Sequence, residues 1–246
     1  MKIYHYSQIG TFHINHNEDF AVTTEIGESQ ILIAVMDGCS MGTESHFAAA
    51  LTGKLLRKFG KEIFYKSFAE RSQKSEMELL KTVLEFLFTD LKNLKNSLNL
   101  EEDELLSTLI LGVVNTKNKT AEIIAIGDGL VVHNHQLIEY EQDNQPDYLG
   151  YHLHKNFEDW YLEQNQKLSL KNILDLTIST DGIFTFRPFT NDKFPIISDE
   201  KIIDLLVINQ QYADVETMLK KQVFEIETKY GLKPTDDLTL IRMIRD

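Results

Sequence analysis

The sequence predicts an α+β fold, with strands gathered in runs and helices gathered in runs, not the βαβ alternation of a doubly wound sheet. Two observations carry this reading. Strand-like segments bounded by Gly, Asn and Asp occur near the start, across the middle and at the end of the chain. Between them, two long stretches repeat apolar residues every three or four positions, the period of a helix face.

In chain order, Ile3 to Gln8 alternates as a strand and Gly10 ends it. Phe20 to Thr24 and Ile31 to Met36 are two more strands, with a turn over residues 26–29. A helix follows from Glu44 to about Phe68, on Phe47, Ala50, Leu51, Leu55, Phe59 and Ile63. A second helix runs from about Ser75 to Ser97, and the acidic run 101–104 is a loop. Ser107–Asn115, Thr120–Ile126, Leu130–Asn134 and Gln136–Tyr140 read as a β-meander. The polar and aromatic stretch 141–166 reads as a flap or insertion. Ile173–Ser179 is a buried strand, helices follow near Asp199–Asn209 and Tyr212–Tyr230, and Leu238–Ile244 closes the chain as a strand. The interleaving favours one domain over residues 1–246.

The 246 residues are 42% hydrophobic and 26% charged, enough to build a core without disulfides. The net charge of −13 argues against nucleic acid and against anionic membrane surfaces, both of which need a basic footprint. Cys39 is the single cysteine, which excludes an internal disulfide and a Cys-based zinc site. The N-terminal MKIYHYSQIG has no apolar signal core, so the expected compartment is the cytoplasm.

Three apolar strands end in Asp-Gly, at Asp37-Gly38, Asp128-Gly129 and Asp181-Gly182. Asp-Gly is also a hairpin dipeptide. Asp128 reads as a hairpin turn, because the strand-like Leu130-Val131-Val132 follows directly. Asp37 leads instead into Cys39-Ser40-Met41-Gly42-Thr43 and a helix, while Asp181 leads into a short apolar run broken at Arg187-Pro188. A functional role is expected for these two, since loops at strand ends often carry function. Asn17-Glu18-Asp19 and Asp236-Asp237 add acidic pairs immediately before strands. Carboxylates gathered from several strand ends repel unless a cation neutralises them. Mg²⁺ and Mn²⁺ prefer such oxygen ligands, and two ions ~3.5–4 Å apart can activate water and clamp a phosphoryl group.

Taken in order, Asn17-Glu18-Asp19, Val35-Met36-Asp37-Gly38, Ser107-Thr108, Gly127-Asp128-Gly129, Ser179-Thr180-Asp181-Gly182 and Asp236-Asp237-Leu238-Thr239 resemble the metal-dependent protein phosphatases of type 2C, the PPM family, from about residue 7 to 245. The resemblance implies a four-layer α/β/β/α sandwich of two antiparallel sheets flanked by helices. It implies a metal-dependent serine/threonine protein phosphatase using Mn²⁺ or Mg²⁺, with two ions and a candidate third. Asp37 would bridge the two ions, the Gly38 carbonyl would serve the second, and Asp181 and Asp236 would complete the first. Glu18 and Asp19 would act through metal-bound waters, and Asp103 is the candidate ligand of a third ion. Asp237 stands where many members have Asn. A metal-bridging hydroxide would attack the phosphoester directly, without a phosphoenzyme. The implied partners are a phosphorylated protein substrate and a cognate serine/threonine kinase.

The chain departs from the pattern in two places. Many members carry, four residues before the first-motif Glu, an Arg that grips the substrate phosphate; here that position is Ile14. The adjacent His13 is the candidate donor to phosphate in its stead. The usual second Gly after the Asp37 motif is replaced by Cys39. These changes keep alive a second reading, a phosphatase-like regulatory or binding domain with little activity. A third reading is a phosphoesterase for small molecules.

Other chemistries are disfavoured by the residues. A cysteine phosphatase would need Arg at position 45, which is Ser45. Ile183 occupies the place of the second Asp in an aspartyl-nucleophile motif. His133/His135 and His152/His154 lack an identifiable third metal ligand. Tyr148, Tyr151, Phe157, Trp160 and Tyr161 read as a packed aromatic flap, and no phosphate-binding Walker loop is present.

Overall fold

The structure is a computed structural model and describes residues 1–70, 74–142, 146–190 and 193–245. Two five-stranded antiparallel sheets lie face to face. The first contains β1 (Lys2–Gln8), β6 (Gly129–His133), β7 (Gln136–Tyr140), β9 (Asp175–Ser179) and β12 (Leu238–Ile244), in the spatial order β1-β12-β9-β6-β7. The second contains β2 (Phe20–Gly27), β3 (Gln30–Met36), β4 (Leu109–Asn115), β5 (Thr120–Ile126) and β8 (Lys167–Lys171), in that order. Helices α1 (Ser45–Glu70) and α2 (Glu76–Leu98) cover the second sheet. Helices α4 (Asp199–Val207) and α5 (Met218–Tyr230) cover the first. The architecture is the four-layer α/β/β/α sandwich.

Strand periodicity builds the layers. Along β3, Leu32, Ala34 and Met36 face the helices, whereas Ile33 and Val35 face the other sheet. Along β12, Leu238 and Leu240 face α4 and α5, while Ile241 and Met243 fill the space between the sheets. Both faces of these strands are apolar, as sheets covered on both sides require. Helix α2 starts where the sequence places it. The Ser75 hydroxyl accepts from the Glu78 N–H and the Glu78 carboxylate accepts in turn from the Ser75 N–H, a capping box.

Four expectations need correction. The segment Gly127-Asp128 is not a hairpin turn, because β5 and β6 belong to different sheets and the chain crosses between them there. The expected meander is therefore two separate pairs, β4 with β5 and β6 with β7. Helix α5 starts at Met218, six residues after Tyr212, and residues before it form turns. Strands β8, β10 (Phe186–Pro188) and β11 (Leu232–Pro234) are additional. Of the stretch 141–166, residues 143–145 lie outside the described residues. The remainder carries α3 (Phe157–Glu163), whose fully buried Trp160 packs on Phe88 of α2 with ring centroids 5.3 Å apart.

Antiparallel register brings the carboxylates to one end of the sandwich. In the second sheet Phe20 pairs with Met36, so Asp19 and Asp37 leave the same end. In the first sheet Ser179 pairs with both Leu240 and Leu130, so Asp181, Asp237 and Asp128 also leave one end. The two ends coincide, as Thr180 of the first sheet bonds Asp19 of the second.

Candidate active site

Two glycines let the strand ends close on one another. A Cβ on Gly38 would sit 2.1 Å from the Ser45 carbonyl oxygen, and one on Gly182 would sit 1.9 Å from that of Asp237. No side chain fits either place, so Gly38 and Gly182 serve close backbone approach and not a left-handed turn conformation. The Asp37 segment is pinned across the sheet end. The Asp37 N–H donates to Thr108 Oγ1 at 3.1 Å and the Asp37 carbonyl accepts from the Thr108 N–H at 2.8 Å.

Hydroxyl groups orient the acids. Thr180 Oγ1 donates to Asp19 Oδ2 at 2.8 Å and accepts from the Thr239 N–H at 3.0 Å. Ser40 Oγ donates to Glu18 Oε2 at 2.9 Å, and Ser45 Oγ donates to Glu18 Oε1. Asp237 is buried and ties the first loop down. Its Oδ1 accepts from the Gly10 N–H at 2.7 Å and its Oδ2 accepts from the Glu18 N–H. His13 turns into this group, with Nδ1 2.9 Å from Asp237 Oδ2 and Nε2 3.5 Å from Asp236 Oδ1. Its two ring nitrogens face carboxylates, which is not the disposition expected of a free phosphate donor.

The cluster is electrostatically unfavourable by itself. Burial pushes the Asp37 carboxyl well above its usual range, and Asp19, Asp181 and Asp236 push it further. Burial likewise raises Asp19, against hydrogen bonds from Thr180 and its neighbours that lower it. Asp181 is raised to about 7 by burial and by the charges of Asp128 and Asp236. Asp236 is raised chiefly by burial, although His13 and the Asp237 N–H oppose the shift. Burial and Asp236 raise Asp128. At His13 burial lowers the pKa, and the contact with Asp237 and the nearby Glu18 and Asp236 outweigh it to give a net rise.

These residues fit a divalent cation. Asp19 Oδ1 and Asp181 Oδ1 are buried oxygens without a hydrogen-bond partner, and the donor set is all hard oxygen. Among the described residues no three His, Cys, Asp or Glu side chains are closed around a single point.

Asp103 lies elsewhere on the rim, in a short 3-10 turn, with its Oδ2 accepting from Thr43 Oγ1 at 3.1 Å. Ile14 is 90% exposed. Cys39 is buried in a tight turn closed by the Gly42 N–H on the Cys39 carbonyl, and its thiol lies near Tyr148. One histidine of each pair is engaged elsewhere, His133 Nε2 3.1 Å from the Lys171 carbonyl and His152 Nε2 2.7 Å from Asp147 Oδ1.

Sequence reasoning missed Asp128 and Tyr148. The charge of Asp128 acts on Asp181, and the Tyr148 phenol is held up by burial, by Cys39 and by Asp37 and Asp128. The available signal for Asp128 was its membership of a third Asp-Gly strand end. Tyr148 carries no local signal, because it reaches the site from the stretch 141–166. A groove of about 350 Å³ beside α4, with Lys201 and Asp204 on its wall, offers one carboxylate and no comparable acidic cluster.

The chain matches the family profile described as Protein phosphatase 2C over residues 9–222. It belongs to the protein phosphatase 2C family. Solved phosphatase structures share its fold. A bacterial serine phosphatase bearing an arginine-to-glutamate substitution superposes with a TM-score of 0.65 at 14% identity, covering 100% of this chain and 99% of that one. The phosphatase domain of the cell-fate determinant SpoIIE from Bacillus subtilis, with a fragment of its regulatory domain, gives 0.58 at 15% identity, covering 98% and 62%. The RsbU and RsbW domains of a Mycobacterium tuberculosis protein give 0.60 at 13% identity, covering 99% and 59%. No curated protein matches the chain in sequence. In this type 2C phosphatase no described helix is long and apolar enough to cross a membrane.

Proposed function

We propose that the chain is a metal-dependent serine/threonine protein phosphatase working at the acidic end of the sandwich. The observation that carries the reading is the meeting of Asp19, Asp37, Asp128, Asp181 and Asp236, each held above its ordinary pKa by burial and most of them by one another. Buried acids kept in this state are stable in their charged form only beside cations. Asp37, Asp181 and Asp236 would hold the ions with the Gly38 carbonyl, and Asp103 is the candidate for a third. Bound Mn²⁺ or Mg²⁺ would supply an activated water and neutralise charge on the phosphoryl group.

The chain's own residues do the rest. Glu18, fixed by Ser40 and Ser45, and Asp19, fixed by Thr180, orient water at the edge of the cluster. His13 acts as a positioning residue, holding Asp236 and Asp237 in place. Tyr148 closes one wall. The substrate is a phosphorylated protein, and a separate serine/threonine kinase would create it.

A second reading, a phosphatase-like binding domain of low activity, is motivated by Ile14. With Ile at this place and His13 turned to the carboxylates, phosphate lacks its customary grip. One experiment separates the two. A phosphothreonine peptide is incubated with the protein in Mn²⁺, in Mg²⁺ and in chelator, beside Asp37→Asn. The phosphatase reading expects metal-dependent release of phosphate that falls at least ~10²-fold in the variant, the scale of losing a group that stabilises transition-state charge. Metal binding by calorimetry without turnover would favour the binding domain.

A further inference from the structure

We infer that His16 and His46 form a pair of donors that grips the phosphoryl group of the substrate. The inference rests on the phosphatase reading and adds the side chains that hold the phosphate beside the ions.

Arg and Lys are the usual phosphate-holding side chains. The segments that build the acidic end, 9–19, 37–46, 101–108, 127–129, 147–152, 180–186 and 234–239, contain neither. Histidine is the remaining side chain there that can carry positive charge, at His13, His16, His46 and His152. His13 lies against Asp236 and Asp237, and His152 against Asp147. The hydroxyls of Ser40, Ser45 and Thr180 already donate to Glu18 and Asp19. His16 and His46 are left.

These two come together from different loops. Their rings stack with centroids 4.3 Å apart and planes 24° from parallel. His46 follows Ser45, the residue that packs on Gly38 and donates to Glu18. His16 stands two residues before Glu18, whose carbonyl accepts from the Gly38 N–H at 3.2 Å. Consecutive Cα atoms lie ~3.8 Å apart, so the stack lies beside Glu18 and Gly38, on the side of the cluster where the second ion is expected.

The geometry suits an oxyanion better than a shared metal ion. Each imidazole keeps at least one N–H in either charge state, so near-parallel rings offer two donors. A phosphoryl group has several oxygens to accept them. A metal shared by both rings would have to lie in both ring planes, ~2.0–2.1 Å from each nitrogen. Rings stacked at 4.3 Å and 24° do not converge on such a point.

The probe is inorganic phosphate, titrated by calorimetry into the Mg²⁺-loaded protein. Hydrolysis of para-nitrophenyl phosphate and of a phosphothreonine peptide in Mn²⁺ is measured beside it. The double variant His16→Phe, His46→Phe keeps rings that can stack and removes their N–H donors. It is expected to weaken phosphate binding and raise KM for both substrates about tenfold or more, the worth of a hydrogen bond to a charged group. Its Mg²⁺ affinity is expected to match the wild type. The variant His16→Gln, His46→Gln keeps N–H donors without rings, and is expected to bind phosphate more tightly than the Phe variant. In the wild type, which needs no altered chain to fold, the imidazole NMR signals of His16 and His46 should move with phosphate. That of His135, beyond the far end of β6, should stay. Unchanged phosphate binding in the Phe variant, a Gln variant that binds no better than it, or unmoved signals of His16 and His46 would overturn the inference. A matching loss of Mg²⁺ affinity would also overturn it and place the pair at an ion. Phosphate binding that depends on the pair, in a protein without turnover, would strike the phosphatase reading and leave the phosphate site standing. Neither binding nor turnover would overturn both.

Discussion

A carboxylate is a liability in a half-buried place, and this protein places several together. Asp37 shows the consequence most clearly, because burial and three neighbouring acids all act in the same direction. Replacing it with Asn should therefore stabilise the protein in chelator and destabilise it relative to wild type in saturating Mn²⁺. Thermal melts would show this as a crossing of the two variants, at about 2–4 °C per kcal/mol for a chain of this size. Identical melting in chelator would show that Asp37 is not repelled. Asp128 makes a second prediction. It presses on Asp181 without being among the expected ligands. Asp128→Asn should raise the Mn²⁺ concentration for half-maximal turnover about 10–100-fold, the usual effect of an outer partner. Asp204→Asn, on α4, serves as the control and should leave it unchanged.

Among the elements, β12 links the site to the outer helices. Its first residues follow Asp236 and Asp237, and its Arg242 is fully buried beneath α4. Arg242 meets Asp175 through Nε at 3.0 Å and Nη2 at 2.6 Å, and donates to the carbonyls of Leu206, Ile208 and Asn209 at the end of α4. Every guanidinium donor is used, and a helix C-terminus is a favourable place for a cation. Arg242→Leu should cost about 3–5 kcal/mol in urea unfolding, because it leaves Asp175 buried and unpaired. Adding Asp175→Asn should recover part of that loss. A different contact secures the stretch that bears Tyr148. Trp160 is fully buried against Phe88, and Trp160→Ala should cost about 3–5 kcal/mol. A loss below 1 kcal/mol would show that α3 is not part of the core.

For the whole molecule, the acidic cluster couples stability to pH and metal. Asp181 rises from an ordinary 3.8 to about 7, so between those values the folded chain keeps a proton that the unfolded chain releases. The unfolded state then binds fewer protons, and stability must fall as pH rises through that window. Asp19, Asp37, Asp128 and Asp236 shift in the same direction. In chelator the melting temperature should decline from pH 5 to pH 8, while saturating Mn²⁺ should remove the decline by stabilising the ionised acids. A decline of equal slope with and without Mn²⁺ would mean that the ion does not sit among these carboxylates.

At this same scale the division between sequence and tertiary structure is clear. Local pattern determined the long elements. Helices α1 and α2 are legible from their apolar repeat, β3 and β5 from apolar runs closed by acids, and β12 from an apolar run that acids precede. The Asp-Gly pairs and the acids before β2 and β12 were legible as well. Local pattern did not reveal β8, β10 or β11, which are short and carry Lys, Arg or Pro in KLSLK, FRP and LKP. It did not reveal the part of Asp128. An Asp-Gly followed by an apolar strand looks alike whether the second strand pairs with the first or crosses to another sheet, and only long-range pairing distinguishes them. Tertiary structure also turned His13 toward Asp236 and Asp237, brought Tyr148 to the site from the stretch 141–166, and set Arg242 inward under α4. Backbone propensity and periodicity act over neighbouring residues, whereas a charge at a strand end acts on whatever the packing of the two sheets brings beside it.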